Sequence, residues 1–192
     1  QIPPKADCIF IESTYGGLSK NITLKDYDKF QNALAAAVKK NKTVWIPSLA
    51  LHRTQKVLYE IKKAQDKGLI AKNIKVFSLS PSSNGLTKLY ENEIKHPSSE
   101  RWFSPDVYDG GTLLPANYTT KKSQKFPKPS IVISAGGMMD MGTSVSLVSK
   151  FLSSDDTVVF LVSYAGPHTP AGQLKRQAEK VKTKYGYVNV LA

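Results

Sequence analysis

The stretch that decides the fold reads Ser130-Ile131-Val132-Ile133-Ser134-Ala135-Gly136-Gly137-Met138-Met139-Asp140-Met141-Gly142. Its unbroken apolar run, 131–133, is typical of a strand that is buried on both faces of a parallel sheet. The glycine pair lets the backbone approach an anion, and a helix-like apolar pattern follows from Ser144 to Leu152. The stretch therefore predicts a strand, a turn and a helix, and the turn is either an anion site or a tight connection without a ligand.

The rest of the chain alternates between strand-like and helix-like segments. Strands are predicted at 7–12, 43–47, 72–79, 157–163 and 187–191. Helices are predicted at 24–40, at 51–67, through Leu86, Leu89, Tyr90 and Ile94, and at 173–184. Pro47 is expected to end its strand, because proline cannot donate to a sheet ladder. This order predicts an α/β fold in one domain, 1–192, with a mainly parallel, Rossmann-like sheet and helices on both faces.

One long segment, 96–128, breaks this rhythm. It is rich in Pro, Gly, Ser, Tyr and Lys and has no sustained hydrophobic period. It is too long for an ordinary connection between two elements. It is therefore either a functional excursion, such as a lid, or an insertion packed on the surface.

Composition narrows the class of partner. The 192 residues carry 27 Lys+Arg against 15 Asp+Glu, a formal charge of +12. This charge favours a polyanionic partner, nucleic acid before an acidic membrane, although a merely basic soluble protein is the alternative. The single cysteine, Cys8, lies in an apolar run, which predicts a buried thiol, excludes a disulfide scaffold and suits the cytoplasm. No apolar run is long enough to span a bilayer, so no membrane partner is expected.

Three polar loops follow predicted strands: Glu12-Ser13-Thr14-Tyr15, Ser134-Ala135-Gly136-Gly137 and the segment Tyr164 to Thr169. The carboxyl ends of parallel strands share one edge of a sheet, so these loops are expected to converge on a crevice. There, Glu12 can act as a base or orient a histidine. His168 can be an acid, a metal ligand or a phosphate contact, or simply a surface residue.

The sequence lacks the usual motifs of metal sites and of nucleotide-binding sites. The three histidines, His52, His96 and His168, have no paired spacing typical of a metal site. The sequence contains no Walker loop and no Gly-x-Gly-x-x-Gly, which disfavours a free-standing nucleotide-binding domain.

Four ordered segments carry a more specific signal and cover nearly the whole chain: Asp7 to Gly16, Trp45 to Gln55, Pro129 to Gly142 and Phe160 to Gly172. The first contains Glu-Ser-Thr-Tyr-Gly, and the second reads Trp-Ile-Pro-Ser-Leu-Ala-Leu-His-Arg-Thr-Gln. Together they resemble, in order, the motifs of the β-CASP branch of the metallo-β-lactamase family. That branch includes bacterial ribonuclease J and the endonuclease subunit of the cleavage and polyadenylation complex.

The resemblance implies an excised domain of an RNA-processing hydrolase. The full-length enzyme would hold two zinc ions in a metallo-β-lactamase domain through a His-x-His-x-Asp-His motif, and this chain lacks that motif. RNA would thread between the two domains, and zinc-bound hydroxide would attack a phosphodiester. The expected partners are RNA and the missing metallo-β-lactamase domain of the same chain, with a homodimer of the parent also possible. Residues 1–15 and about 170–192 are the expected junctions, and no zinc is expected in this chain itself.

The same resemblance suggests residue roles. Glu12 matches a motif acid that supports a metal-binding histidine, Ser134 to Gly137 match a loop that faces the RNA backbone, and Arg53 matches the arginine of a Leu-Gly-Arg motif. The candidate catalytic residues are Glu12 and His168. The candidate RNA-binding or phosphate-binding residues are Ser13, Arg53, Ser134, Ala135, Gly136, Gly137, Tyr164 and Thr169.

Two departures from the family pattern keep two functions open. His52 replaces the usual glycine, and Gln173 stands near the position of a motif histidine, for which His168 is the candidate substitute. The first function is the substrate-clamping part of a zinc-dependent ribonuclease. The second is a catalytically inactive RNA-binding or assembly module of the same family.

Overall fold

The fold is seen in a computed structural model that describes residues 5–11, 24–123 and 125–191. Among these residues, no helix is both long and apolar enough to cross a bilayer. The elements are, in chain order, α1 Leu24–Lys39, β1 Thr43–Ser48, α2 Arg53–Asp66, β2 Lys75–Ser78, α3 Pro81–Lys95, α4 Pro105–Asp109, β3 Tyr118–Thr119, β4 Ser130–Ala135, a 3₁₀ helix Gly142–Ser146, α5 Val148–Leu152, β5 Thr157–Val159, α6 Pro170–Lys175, β6 Lys180–Thr183 and β7 Gly186–Asn189.

Five strands form one parallel sheet in the order β3-β2-β4-β1-β5. The central strand is β4, where Ile131 lies opposite both Val76 of β2 and Val44 of β1. Connections that lead toward β3 carry α2 and α3, whereas the connection from β4 to β5 carries α5. Crossovers between parallel strands are right-handed. Connections that run toward β3 therefore lie on one face of the sheet, and the connection that runs toward β5 lies on the other. The predicted α/β class with a mainly parallel sheet is therefore confirmed.

The three long helices pack on one face of this sheet. Leu34 of α1, Leu58 of α2 and Ile94 of α3 share a buried core with Val44 and Ile131. In α1 the buried residues recur at helical spacing, which is why an isolated apolar stripe predicted this helix correctly. This face supplies the larger of the two cores.

Shorter elements cover the other face. Trp45 and Val132 from the sheet share a second core with Phe151 of α5 and with Val181 and Val188 of an antiparallel hairpin, β6–β7. The helices on this face, α5 and α6, have only 5 and 6 residues. Helices therefore lie on both faces, as predicted, but the long ones all lie on one.

The strand predicted at 7–12 is wrong over the residues that the structure describes. Residues 7–11 form no strand, and Ile9, Phe10 and Ile11 are 64%, 97% and 82% exposed. The prediction of a buried thiol is wrong as well, because Cys8 is exposed. An apolar run becomes a strand only when another strand or a core receives it, and the described residues offer this run neither. The end of the predicted strand, Glu12, lies outside the described residues.

The helix predicted at 173–184 is also wrong. Helix α6 ends at Lys175, and 180–189 form the β6–β7 hairpin, in which Val181 lies opposite Val188. Gly186 takes φ 111°, a conformation that glycine adopts readily at the turn. Val181 and Thr183 are two residues apart, as are Val188 and Val190, and polar residues lie between them. This spacing is a strand signal, which the lysine-rich composition obscured.

Pro47 lies inside β1 rather than at its end. The odd-numbered residues of β1 face β5, since the N–H of Thr43 donates to the Asp156 carbonyl and the carbonyl of Trp45 accepts from the N–H of Phe160. The ladder to β5 ends at Trp45, so Pro47 faces a side where no partner is paired. The missing donor of this proline therefore costs the sheet no hydrogen bond.

The segment 96–128 is a packed insertion in its described part. It contains α4 and the edge strand β3, in which Tyr118 pairs with Val76 of β2. Leu113 is buried in the larger core, and Asp106 accepts a 2.6 Å hydrogen bond from the hydroxyl of Tyr59. These contacts support the packed-insertion alternative over a lid.

Candidate functional site

Loops at the carboxyl edge of the sheet are joined by direct hydrogen bonds. The N–H of Gly136 donates to the Ser48 carbonyl over 2.9 Å, which ties the loop after β4 to the end of β1. The N–H of Ala171 donates to the Met138 carbonyl over 3.2 Å, which ties the same loop to α6. The structure therefore brings together two of the three loops expected at this crevice, 134–137 and 164–169. The third, with Glu12 and Ser13, lies outside the described residues.

Ser134 is held inside the protein. It is 1% exposed, and its hydroxyl accepts a 2.9 Å hydrogen bond from the indole nitrogen of Trp45. The same oxygen lies 2.8 Å from the hydroxyl of Ser144. Ala135 is also buried, and its N–H donates to the hydroxyl of Ser80 over 2.6 Å. Both residues are thus held inside the edge, Ser134 through its side chain and Ala135 through its backbone, and their contact with RNA stays a prediction.

Neighbouring loops of the carboxyl edge pack so closely around Gly136 and Gly137 that no side chain fits at either position. Gly136 has φ 107°, and a β-carbon there would stand 1.9 Å from the Met141 carbonyl oxygen. A β-carbon on Gly137 would stand 2.6 Å from the side chain of Ser163. The helix that follows is a 3₁₀ helix of 5 residues, beginning at Gly142. These contacts favour the tight connection over an anion site built on a helix N-terminus.

The loop after β5 presents an aromatic ring and caps a helix. Tyr164 is 77% exposed. Thr169 caps α6: its hydroxyl accepts from the N–H of Gly172 over 3.2 Å and donates to the Gly166 carbonyl over 2.7 Å. Of these two predicted RNA contacts, only Tyr164 therefore has a side chain that is free of such a structural bond among the described residues.

Gly172 and Gly85 provide a test of how tightly this loop is packed. A β-carbon on Gly172 would stand 2.0 Å from the Gly166 carbonyl oxygen, whereas nothing lies within 4 Å of that position at Gly85 in α3. Helix propensity alone favours alanine at both sites by about 0.5–1 kcal/mol. We expect Gly85→Ala to stabilise the fold by about that amount and Gly172→Ala to destabilise it by about 2–3 kcal/mol in urea unfolding. If both substitutions raised the free energy of unfolding, the loop around Gly166 would be able to move away from residue 172 without destabilising the fold.

His168 lies in a basic hollow that the sequence analysis missed. Arg176 and Lys182 line this hollow with it, and none of the described residues that line it carries a carboxylate. The guanidinium of Arg176 donates to the Pro167 carbonyl over 2.5 Å, which fixes it beside the loop. Lys182 arrives on β6, inside the segment predicted as helix. The hollow offers cationic groups to an anionic ligand.

Gln173 has a structural task at the position where the family pattern suggested a histidine. Its side-chain oxygen accepts a 2.9 Å hydrogen bond from the N–H of Lys182. Its side-chain nitrogen lies 3.4 Å from the carbonyl oxygens of His168 and Lys182. Gln173 therefore joins α6 to the hairpin and to the His168 loop.

Arg53 begins α2 at the same edge of the sheet. Its guanidinium forms no ion pair with any residue in the described part of the chain. The preceding residue, His52, has φ 60°, a left-handed conformation that glycine adopts more easily. This explains why the family pattern has glycine there. A ring nitrogen of His52 lies 3.3 Å from the hydroxyl of Tyr90.

The described residues do not fit a zinc site. Within 5–11, 24–123 and 125–191, no three side chains of His, Cys, Asp or Glu come together in an arrangement that could hold a metal ion. His52 and His168 lie in different loops and have different neighbours. We therefore derive no metal-dependent step from these residues.

Comparison with known proteins decides the family. The family described as "Beta-Casp domain" matches residues 54–174, which is more than half of the chain. The chain belongs to the Beta-Casp domain family. The match contains strands β2 to β5 of the sheet and the loops with Gly136, Tyr164, His168 and Thr169, whereas β1 lies before it and Arg53 immediately precedes it.

Curated relatives of this β-CASP domain are similar over most of the chain. Endoribonuclease ysh1 of Schizosaccharomyces pombe is 22% identical over 97% of this chain and 25% of its own length. Endoribonuclease YSH1 of Candida albicans is 23% identical over 95% of this chain and 22% of its own length. Ribonuclease TTHA0252 of Thermus thermophilus is 22% identical over 85% of this chain and 38% of its own length. The chain thus spans about a quarter of the length of the first two.

Proposed function

We propose that this β-CASP domain clamps single-stranded RNA in an RNA-processing hydrolase of the metallo-β-lactamase fold, during cleavage of a phosphodiester bond. The observation that carries the proposal is the cationic hollow that His168, Arg176 and Lys182 line, together with Arg53 at the start of α2. Within the described part of the chain, Arg53 makes no ion pair and no carboxylate lines the hollow of His168, Arg176 and Lys182. Family membership and the printed names of the relatives support the choice of RNA.

Each part of the edge has a proposed role. Arg53, Arg176 and Lys182 neutralise phosphates of the RNA backbone. The exposed ring of Tyr164 stacks on a base or a ribose. His168 contacts the phosphate that approaches the hollow. Ser134, Ala135, Gly136 and Gly137 shape the edge on which these groups are placed.

The chemical step is proposed to depend on residues beyond the described part. Zinc, which the family implies, would activate the attacking water in a metallo-β-lactamase domain. Glu12 and Ser13 keep their proposed roles next to that domain, and the junctions at 1–15 and about 170–192 also stay proposals. Residues 170–191 contribute Ala171, Val181 and Val188 to the second core, so this part of the junction is integral to the fold. The cytoplasmic location and a homodimeric parent stay predictions.

One observation favours the alternative, an inactive RNA-binding or assembly module. Gln173 is committed to hydrogen bonds with Lys182 in place of the expected histidine. Assay of the full-length protein on labelled RNA, with and without a chelator, distinguishes the two. Cleavage that the chelator abolishes supports the ribonuclease, whereas binding without cleavage supports the module.

Replacing Arg53 with alanine tests the clamp directly. We expect Arg53→Ala to weaken binding of single-stranded RNA about five- to tenfold, because one charged contact is lost. The slope of log affinity against log salt concentration should fall by about 0.7. Fluorescence anisotropy at several salt concentrations measures both quantities.

The control for Arg53→Ala removes the same charge elsewhere. Lys29→Ala is suitable, because the side chain of Lys29 is 79% exposed on α1. We expect this variant to leave the affinity and the slope nearly unchanged. Equal losses in both variants would mean that only net charge matters and that Arg53 does not face the RNA.

A further inference from the structure

A second concave feature lies beside the carboxyl edge, between α2 and the 96–128 insertion. Five aromatic residues line a cavity of about 490 Å³, and we call it the aromatic cleft: Tyr27, Tyr59, Tyr90, Trp102 and Phe103. This volume is within the range of small-ligand sites. His52, which immediately precedes Arg53, lines the same cleft, so the cleft opens next to the proposed path of the RNA.

Contacts within the insertion and between the insertion and α3 hold the aromatic rings in place. The ring centroids of Tyr90 and Phe103 lie 5.1 Å apart, and those of Trp102 and Phe103 lie 6.3 Å apart. The backbone N–H of Trp102 donates to the hydroxyl of Tyr108 over 2.9 Å, and that hydroxyl in turn donates to Glu93 over 2.9 Å. Trp102 is nevertheless 61% exposed. A large aromatic surface is thus presented to solvent at a fixed position.

The charged groups of the cleft compensate one another. The ammonium of Lys56 lies 3.1 Å from Glu60 and 4.4 Å from the ring centre of Tyr27. The ammonium of Lys63 lies 3.9 Å from Asp106. Two cations therefore face two carboxylates, in contrast to the hollow of His168. The described lining therefore offers a phosphate no excess positive charge, whereas it offers a neutral planar group aromatic faces.

Hydrogen bonds stabilise the charged state of Asp106 at the rim. Ser104 and then Tyr59 donate to its carboxylate, and these bonds lower the pKa of Asp106. Burial, followed by the bond to Asp106, raises the pKa of Tyr59. Both groups therefore keep fixed protonation states near neutral pH, and the cleft does not gain charge there through them.

One polar atom in the lining lacks a partner. Gln55 is 2% exposed, and its side-chain nitrogen donates to Thr87 over 3.0 Å. Its side-chain oxygen has no hydrogen-bond partner among the described residues. An unsatisfied buried acceptor is unfavourable, because the water it gave up on folding is not replaced. Because this oxygen is itself buried, a ligand in the cleft reaches it only if neighbouring side chains move.

We propose that the aromatic cleft binds an unpaired base of the RNA, next to the phosphate contacts of the carboxyl edge. The proposal rests on the proposed function and adds a base subsite to it. The base stacks on the exposed face of Trp102, while its neighbouring phosphates stay outside the neutral cleft and reach Arg53. Stacking of this kind tolerates different bases, because every base has an aromatic face.

The two tryptophans allow a direct measurement. Trp45 is 0% exposed, so a ligand that stacks in the cleft quenches the fluorescence of Trp102 only. We expect a short oligoadenylate RNA to quench this emission and an abasic oligonucleotide of the same length to bind without quenching. Binding of both with no quenching by either would overturn the base subsite and leave the proposed clamp intact. Failure of both to bind would defeat the clamp and the subsite together.

Substitution of Trp102 provides the second readout. We expect Trp102→Ala to weaken binding of the oligoadenylate by about 5- to 100-fold and to leave the abasic chain unaffected. Tyr185→Ala is the matched control, because Tyr185 is 70% exposed on the hairpin turn and lies outside the cleft. An unchanged affinity in Trp102→Ala would contradict the proposal and would point to a protein partner for the cleft.

Discussion

Replacing Gly136 with alanine should destabilise this β-CASP domain by about 3–4 kcal/mol. Two costs combine. The residue has φ 107°, and a β-carbon would stand 1.9 Å from the backbone oxygen of Met141, which cannot rotate away as a side chain can. Relief of this clash requires the loop after β4 to move. Urea unfolding measures the effect as a lower midpoint with an unchanged slope.

Gly186 is the matched control for this substitution. It has φ 111°, close to that of Gly136, but nothing lies within 4 Å of the position of its β-carbon. Gly186→Ala should therefore show only the conformational strain, about 1–2 kcal/mol. If the two variants lose the same stability, the close approach of Met141 contributes nothing and the edge is looser than its contacts indicate.

Replacing Trp45 with alanine should cost about 3–5 kcal/mol. Trp45 is 0% exposed, and its ring stacks on Phe151 with centroids 5.0 Å apart. The substitution removes this packing and also takes away a hydrogen-bond partner of Ser134. Trp45→Phe keeps an aromatic ring and should cost less, because the hydroxyl of Ser134 still has Ser144 as a partner. Thermal and urea unfolding measure both variants.

Trp102→Ala is the control for Trp45→Ala, because it makes the same substitution at an exposed position. It shows how much of the loss of stability is due to burial of the side chain. Its side chain is 61% exposed, so we expect a change in stability within about 0.5 kcal/mol. A large loss for Trp102→Ala, or a small one for Trp45→Ala, would contradict the assignment of Trp45 to the core. A stable Trp102→Ala variant also allows its RNA affinity to be interpreted as a binding effect.

The sequence predicted the centre of the fold because that part depends on local patterns. The apolar run 131–133 is expected to be buried on both faces as a central strand, and β4 does lie between β1 and β2. Once the strands are parallel, geometry alone brings the loops after β1, β4 and β5 to one edge. The convergence of the loops around Gly136 and Tyr164 therefore followed from periodicity and strand direction.

The errors fall where tertiary contacts decide the local structure. Residues 180–189 form a hairpin because Val181 and Val188 find the sheet face beside Trp45, and composition alone does not reveal this. The run 7–11 has strand-like residues but meets no partner among the described ones. Local propensity is overridden in both cases by what is, or is not, packed against the segment.

The aromatic cleft had no sequence signal at all. Tyr27, Tyr59, Tyr90 and Trp102 come from α1, α2, α3 and the insertion, and no spacing relates them. Only the packing of the long helices on one face brings them together. The basic hollow was missed for a related reason, since Lys182 reaches His168 on a strand that had been assigned to a helix.

Pro47 has a further consequence for the shape of the edge. Pro47 has no N–H, so it cannot donate the next hydrogen bond from β1 to β5 after the one between Phe160 and Trp45. The register between the two strands ends at Val159, and farther along the chain Ser163 lies against Gly137. Pro47 thus marks the point at which the chain after β5 leaves the sheet, ahead of the segment that carries Tyr164 and His168.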